Sequence, residues 1–164
     1  MGRKIGQLVR DPLFLIGVTA RLILIGLFAP AIHADWFVPF LDNFFTDPNI
    51  DPWRSHLNAG GDSLAFPYGP VMWLLLLPGV AIGELSGVIF SGSSTQLLAI
   101  GFSAGILVLD FLLLRVLLEI LPASRRLVIA LYWLSPIVLY LNYWHGQVDV
   151  VPVLLMTTSL VFIR

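Results

Sequence analysis

The 164-residue chain contains no cysteine. That excludes a disulfide framework and a thiolate metal site, and it leaves the redox compartment unread. Charge is scarce as well: 12% of residues are Asp, Glu, Lys or Arg, about half the share of an ordinary soluble domain. The two signs nearly cancel, with a net charge of −1, so nothing steers the chain toward polyanions. There is no phosphate-cradling glycine loop, nucleophile elbow, haem motif, internal repeat or regular metal-ligand spacing. These absences rule out a disordered chain, a nucleic-acid binder, a coiled coil and an ordinary soluble enzyme.

What remains is apolar. Hydrophobic residues make up 58% of the chain, and its mean hydropathy is +0.92. A membrane-spanning helix takes roughly 20 apolar residues, which leaves room for about four or five spans and one sizeable loop. The expected fold is an all-α integral membrane protein forming one polytopic domain over 1–164. It is a bundle of about four transmembrane helices plus a re-entrant or interfacial segment at 71–90, with five spans as the alternative. The leader at 1–12 carries Arg3, Lys4 and Arg10 and belongs in the cytosol by the positive-inside tendency. The first span, Leu13 to Ile32, is interrupted by Arg21. Later apolar stretches run Leu97 to Leu121, Leu127 to Tyr143 and Val150 to Ile163.

Composition changes abruptly over 34–69. Five of the ten acidic residues lie there (Asp35, Asp42, Asp47, Asp51 and Asp62), with eight aromatics, against only Arg54 and His56. Trp36, Phe37, Phe40, Leu41, Phe44 and Phe45 share one helical face. This predicts an amphipathic helix in the membrane interface, with Asp35 as its N-cap. Pro78, Gly79, Gly83 and Glu84 burden the 71–90 stretch as a spanning helix. If it enters and leaves on one side, the leader and the Arg125-Arg126 loop both fall in the cytosol. The loop at 34–69 and the turn at 144–149 then face the exoplasmic side together.

Several residues can carry chemistry. Asp35 is either a helix cap or a general base for an attacking hydroxyl. Phe66-Pro67-Tyr68-Gly69-Pro70 is a rigid turn, serving either as a helix entrance or as a platform for a polar ligand. His145, Gln147 and Asp149 can hydrogen-bond a phosphate or a sugar hydroxyl, or simply form a polar turn beside an aromatic belt of Tyr140, Tyr143 and Trp144. Charges within apolar stretches must pair, so Asp110 is expected to meet Arg21 or Arg115, while Arg115 and Glu119 have i,i+4 spacing. Gly101, Ala104 and Gly105 form a small-residue face suited to close helix packing.

The order of these pieces resembles the N-terminal part of the GT-C superfamily of membrane glycosyltransferases. The resemblance is carried by the span, the loop opening His33-Ala34-Asp35-Trp36-Phe37, the turn Phe66-Pro67-Tyr68-Gly69-Pro70, the central Asp110, and Leu134-Ser135-Pro136 leading to Trp144-His145-Gly146-Gln147-Val148-Asp149. It is nearest the branch using polyprenyl- or dolichyl-phosphate-linked glucose or mannose. Gly69 stands where the family's turn usually has a second proline.

The resemblance implies transfer of a hexose from a polyprenyl-phosphate donor to a hydroxyl acceptor on a glycan or lipid at the exoplasmic face. Asp35 would be the catalytic residue, with Tyr68, His145, Gln147 and Asp149 binding substrate, and no metal or other cofactor. Family members are more than twice this long, so the expectation is a truncated or split chain that needs further spans or a second membrane polypeptide. The membrane expected is a bacterial or archaeal plasma membrane, with the endoplasmic reticulum as the alternative. Two other readings compete: a non-catalytic membrane subunit that scaffolds a partner, and a small transporter built on Arg21, Asp110 and Arg115.

Overall fold

A computed structural model describes residues 8–89 and 95–163. The described residues are helical and turn-linked, without a strand, as expected of an all-α membrane bundle. They form two compact units. One comprises Met1–Phe28 with Leu107–Arg164, the other Ala29–Ile106.

In the first unit, α1 (Pro12–Leu27) starts where its sequence says it should. Asp11 is the N-cap, its side chain accepting from Leu13 N at 3.0 Å, and Pro12 takes the first position, where no N–H is needed. The helix takes in the first 15 of the 20 residues expected to span. The helix stops at Phe28, two residues before Pro30. The C-terminal half of α5 (Thr95–Ile120) lies beside α1.

A 3₁₀ turn at Pro122–Ser124 leads into α6 (Arg125–Val128), which widens into a π-helical turn at Ile129–Trp133. Then α7 (Pro136–Leu139) widens into a second, Tyr140–His145. The two halves meet at a 46° bend, so the stretch expected as one span is interrupted near its middle. Pro136 is the cause, since it ends the preceding hydrogen-bond ladder and Ser135 caps the new one, its Oγ facing Val138 N at 3.5 Å. After Gly146, which takes a left-handed φ of 91°, α8 (Val150–Phe162) completes the unit.

The core of this unit is Phe14, Leu114, Val128, Ile129 and Trp133. Phe14 and Trp133 stack at 5.3 Å, and the indole N–H donates to Phe14 O at 2.9 Å. Only a glycine at position 17 lets the indole so close, because a Cβ there would lie 2.3 Å from the ring.

The second unit begins with a helix at residue 31, one turn earlier than its apolar face suggests. Asp35 is therefore not its N-cap. Ala34 N already donates to Pro30 O at 3.0 Å, and Asp35 lies inside a π-helical turn, His33–Phe37, that continues as α2 (Val38–Thr46). Pro39 accounts for the widening, because in a regular α-helix its ring would press on the carbonyl of residue 35.

The helix is amphipathic as expected, and protein covers its apolar face. Phe37, Val38, Phe40 and Leu41 are buried, with Trp36 and Phe45 left exposed. After α3 (Pro52–Asn58) the chain enters α4 (Pro70–Ile89), which runs unbroken through Pro78. Gly79 and Gly83 do not break this helix. They let it approach α5, for a Cβ on Gly101 would lie 2.5 Å from Gly79 O and 2.5 Å from Gly83 N.

By length and composition α4 and α5 can each cross a membrane, and the bent pair makes a third span if its halves are one. Both α1 and α8 are apolar but shorter. The chain is a membrane protein.

Candidate functional site

The acidic loop resolves into aspartates with structural tasks and one without. Asp47 Oδ2 accepts from Ser55 Oγ at 2.6 Å, and Ser55 in turn accepts from Asn43 Nδ2 at 3.3 Å. Asp51 caps α3 through Arg54 N at 3.1 Å, and Asp62 closes a turn through Leu64 N at 2.8 Å. Asp42 has its pKa pushed up to about 6, chiefly by burial and then by hydrogen bonding with, and the charge of, the neighbouring Glu84 carboxyl.

Asp35 alone is left. It is exposed and has no hydrogen-bond or ion-pair partner among the described residues. Its placement is nevertheless firm, because both neighbours two positions away are anchored. His33 is fully buried, edge-on to Phe102 at 4.6 Å, with Nδ1 3.4 Å from Ser103 Oγ. Phe37 packs against Phe66 at 5.9 Å and Tyr68 at 5.7 Å.

The proline-rich turn holds its aromatics in this same cluster. Phe66 stacks on Phe40 at 4.7 Å, and its carbonyl accepts from Trp53 Nε1 at 3.2 Å. Tyr68 stands half-buried against both Phe66 and Phe37. The second unit thus holds Tyr68 against Phe37, which belongs to the same π-helical turn as Asp35. His56, edge-on to Phe40 at 5.1 Å, has its pKa lowered by burial against the opposing pull of Asp62.

The first unit carries the other expected residues. His145 and Asp149 are exposed and Gln147 is half-buried. They flank the left-handed Gly146, where the amides of Gly146 and Gln147 both donate to Leu141 O, at 3.0 and 2.8 Å. This double bond closes the helix end in the manner of a Schellman cap. His145 lies 5.9 Å from the Tyr140 ring, and Trp144 packs on Phe28 at 4.2 Å. At the opposite end of this unit Arg125 pairs with Asp11 at 3.7 Å.

Between these ends is a polar node that sequence reasoning found in part. As expected, Asp110 meets Arg21, Nε to Oδ2 at 2.7 Å, with both side chains fully buried. Two more donors reach the carboxylate: Tyr143 OH at 2.9 Å on Oδ2, and Tyr132 OH on Oδ1. Tyr143 is buried and does not belong to an aromatic belt at the membrane surface. Arg21 Nη1 donates to Trp133 O at 2.7 Å and Gly17 O at 3.1 Å, and the guanidinium lies 3.6 Å over the Trp133 ring. The signal that could have found the tyrosines is stoichiometric. A buried carboxylate has more acceptor sites than one arginine fills, and the apolar stretch from Leu127 to Tyr143 offers the hydroxyls of Tyr132, Ser135, Tyr140 and Tyr143.

Arg115 and Glu119, though suitably spaced, form no ion pair among the described residues. No protein-family model, no curated protein and no solved structure matches this chain.

Proposed function

We propose that the protein transfers a hexose from a polyprenyl-phosphate-linked donor to a hydroxyl acceptor on a glycan or lipid at the exoplasmic membrane face. The observation that carries this reading is Asp35. Of the five aspartates in the loop it is the one that is open to solvent, without a hydrogen-bond or ion-pair partner among the described residues, and on a turn pinned by buried His33 and Phe37. A positioned carboxylate with free acceptor sites can take the proton of an incoming hydroxyl. That oxygen attacks the anomeric carbon of the donor sugar, the bond from that carbon to the phosphate oxygen breaks, and the polyprenyl phosphate leaves with the electron pair.

Tyr68, packed on Phe37, offers a hydroxyl to the acceptor or the sugar. His145, Gln147 and Asp149 offer donors and an acceptor for phosphate or hydroxyl groups. The pairing of Arg125 with Asp11 supports the orientation, because it collects basic residues at the end of the first unit opposite the His145 turn. By the positive-inside tendency that end is cytosolic and the turn exoplasmic. The membrane we propose is a bacterial or archaeal plasma membrane.

The test is a transfer assay in native membranes with polyprenyl-phosphate mannose and polyprenyl-phosphate glucose as donors, comparing wild type with Asp35→Asn at equal protein abundance. Loss of a general base lowers the rate about 10² to 10⁴-fold. Full transfer by the variant would refute the assignment.

A further inference from the structure

Asp110 is the only described carboxylate that draws donors from three separate helical segments: Arg21 on α1, Tyr132 on the stretch before the bend and Tyr143 on the stretch after it. The three contacts do different work. Arg21 neutralises the charge, and Tyr132 ties down the segment that carries the buried Trp133. Tyr143 lies two residues before His145, in the π-helical turn that ends at the left-handed Gly146.

A π-helical turn has looser backbone bonding than an α-helix, so its orientation depends on what holds its side chains. His145 and Trp144 are exposed in this turn, and Trp144 holds it only through Phe28, which is itself exposed. Asn142 and Tyr143 are its buried residues, and the Tyr143 hydroxyl has a charged partner. We infer that Asp110, acting through Tyr143, is a positioning residue for the His145–Asp149 turn, fixing the direction in which His145, Gln147 and Asp149 are presented.

That the turn meets substrate rests on the function proposed above, whereas its mechanical dependence on Asp110 does not. The test therefore reads the turn directly. The amides of Gly146 and Gln147 share Leu141 O as acceptor, so their hydrogen exchange reports opening of this cap. The Leu121 amide, bonded to Leu117 O at 2.9 Å, serves as a reference elsewhere in the same unit.

Tyr143→Phe keeps the ring and removes only the hydroxyl. A hydrogen bond to a charged group is lost, which corresponds to roughly a tenfold or greater rise in the opening equilibrium. Exchange at Gly146 and Gln147 should accelerate by that factor while Leu121 stays unchanged. Tyr132→Phe removes a donor to the same carboxylate without touching the turn, and should leave both amides as they are.

The inference is overturned if Tyr143→Phe leaves Gly146 and Gln147 unchanged, or accelerates Leu121 equally. It is also overturned if Tyr132→Phe loosens the turn as much. None of these readings requires transfer activity, so an inactive protein with a loosened turn would sink the proposed reaction and leave the positioning role standing.

Discussion

Replacing Gly101 with alanine puts a methyl group where the backbone of α4 already stands. The added Cβ falls 2.5 Å from Gly79 O, 2.5 Å from Gly83 N and 2.7 Å from Gly83 Cα. All three are main-chain atoms of a regular helix, so no side chain can swing aside, and α4 and α5 must part by about 1 Å to restore ordinary contact. Between membrane helices, packing is itself the attraction, because lipid is as apolar as the interface. Overpacking costs about 3 kcal/mol at the upper end of its usual range, and the better helix propensity of alanine returns up to about 1 kcal/mol.

Gly26→Ala is the matched control. A Cβ there meets nothing within 4 Å, so only the propensity gain of about 0.5–1 kcal/mol applies. The two variants should therefore differ by about 3 kcal/mol, two orders of magnitude in the folded-to-unfolded ratio. Unfolding by SDS in mixed micelles, followed by the fluorescence of the five tryptophans, measures both. Equal midpoints for the two variants would refute the close approach of α4 and α5.

The Arg21–Asp110 node makes a second stability prediction. Asp110→Leu strands a buried guanidinium and should cost about 3–5 kcal/mol, while the double variant Arg21→Met with Asp110→Leu recovers part of that loss. A double-mutant cycle with purely additive effects would argue against coupling between the pair.

Asp42 makes the stability of the second unit pH-dependent. Its pKa rises from 3.8 to about 6 on folding, so the folded state holds the proton more tightly than the unfolded chain. The contribution is fully present below the unfolded value and is lost as pH rises through about 6. For a partly exposed group, solvent screening reduces it to about 1 kcal/mol. Wild type should unfold more easily at pH 7.5 than at pH 4.5 by about that margin, and Asp42→Asn should flatten the difference. An unchanged slope in the variant would assign the effect elsewhere.

Much of this architecture was legible in the chain itself. Charges stranded in apolar runs demanded partners, which pointed to Asp110 with Arg21 or Arg115, and the spacing of Phe37, Phe40 and Leu41 marked the apolar face of the loop helix, expected against the membrane and covered instead by protein. What escaped were features decided by tertiary contact. Periodicity places Asp35 at a helix start, yet the helix begins at residue 31 because Pro30 supplies the first acceptor, and Pro39 then forces a wider turn. Gly79 and Gly83 read locally as breakers, and only the presence of α5 shows that they are there to be small. Tyr143 sits among aromatics in a stretch next to a polar turn, and nothing in its neighbours distinguishes a ring at the bilayer surface from one donating to a buried acid.

The node also bears on how the protein is made. Arg21 and Asp110 are separated by 89 residues, so the helix carrying the arginine leaves the ribosome well before its counter-ion exists. At about 5–20 residues per second, the delay is roughly 4 to 18 s. Over that interval α1 holds a charge that hydrocarbon rejects by about 2.5–3.5 kcal/mol. Until α5 arrives, the long Arg21 side chain has to reach toward the headgroup boundary and water, and pairing with Asp110 then removes that cost. The pairing is thus timed by the covalent length between its partners, and a substitution at Asp110 leaves the charge of α1 to be met by water for as long as the protein exists.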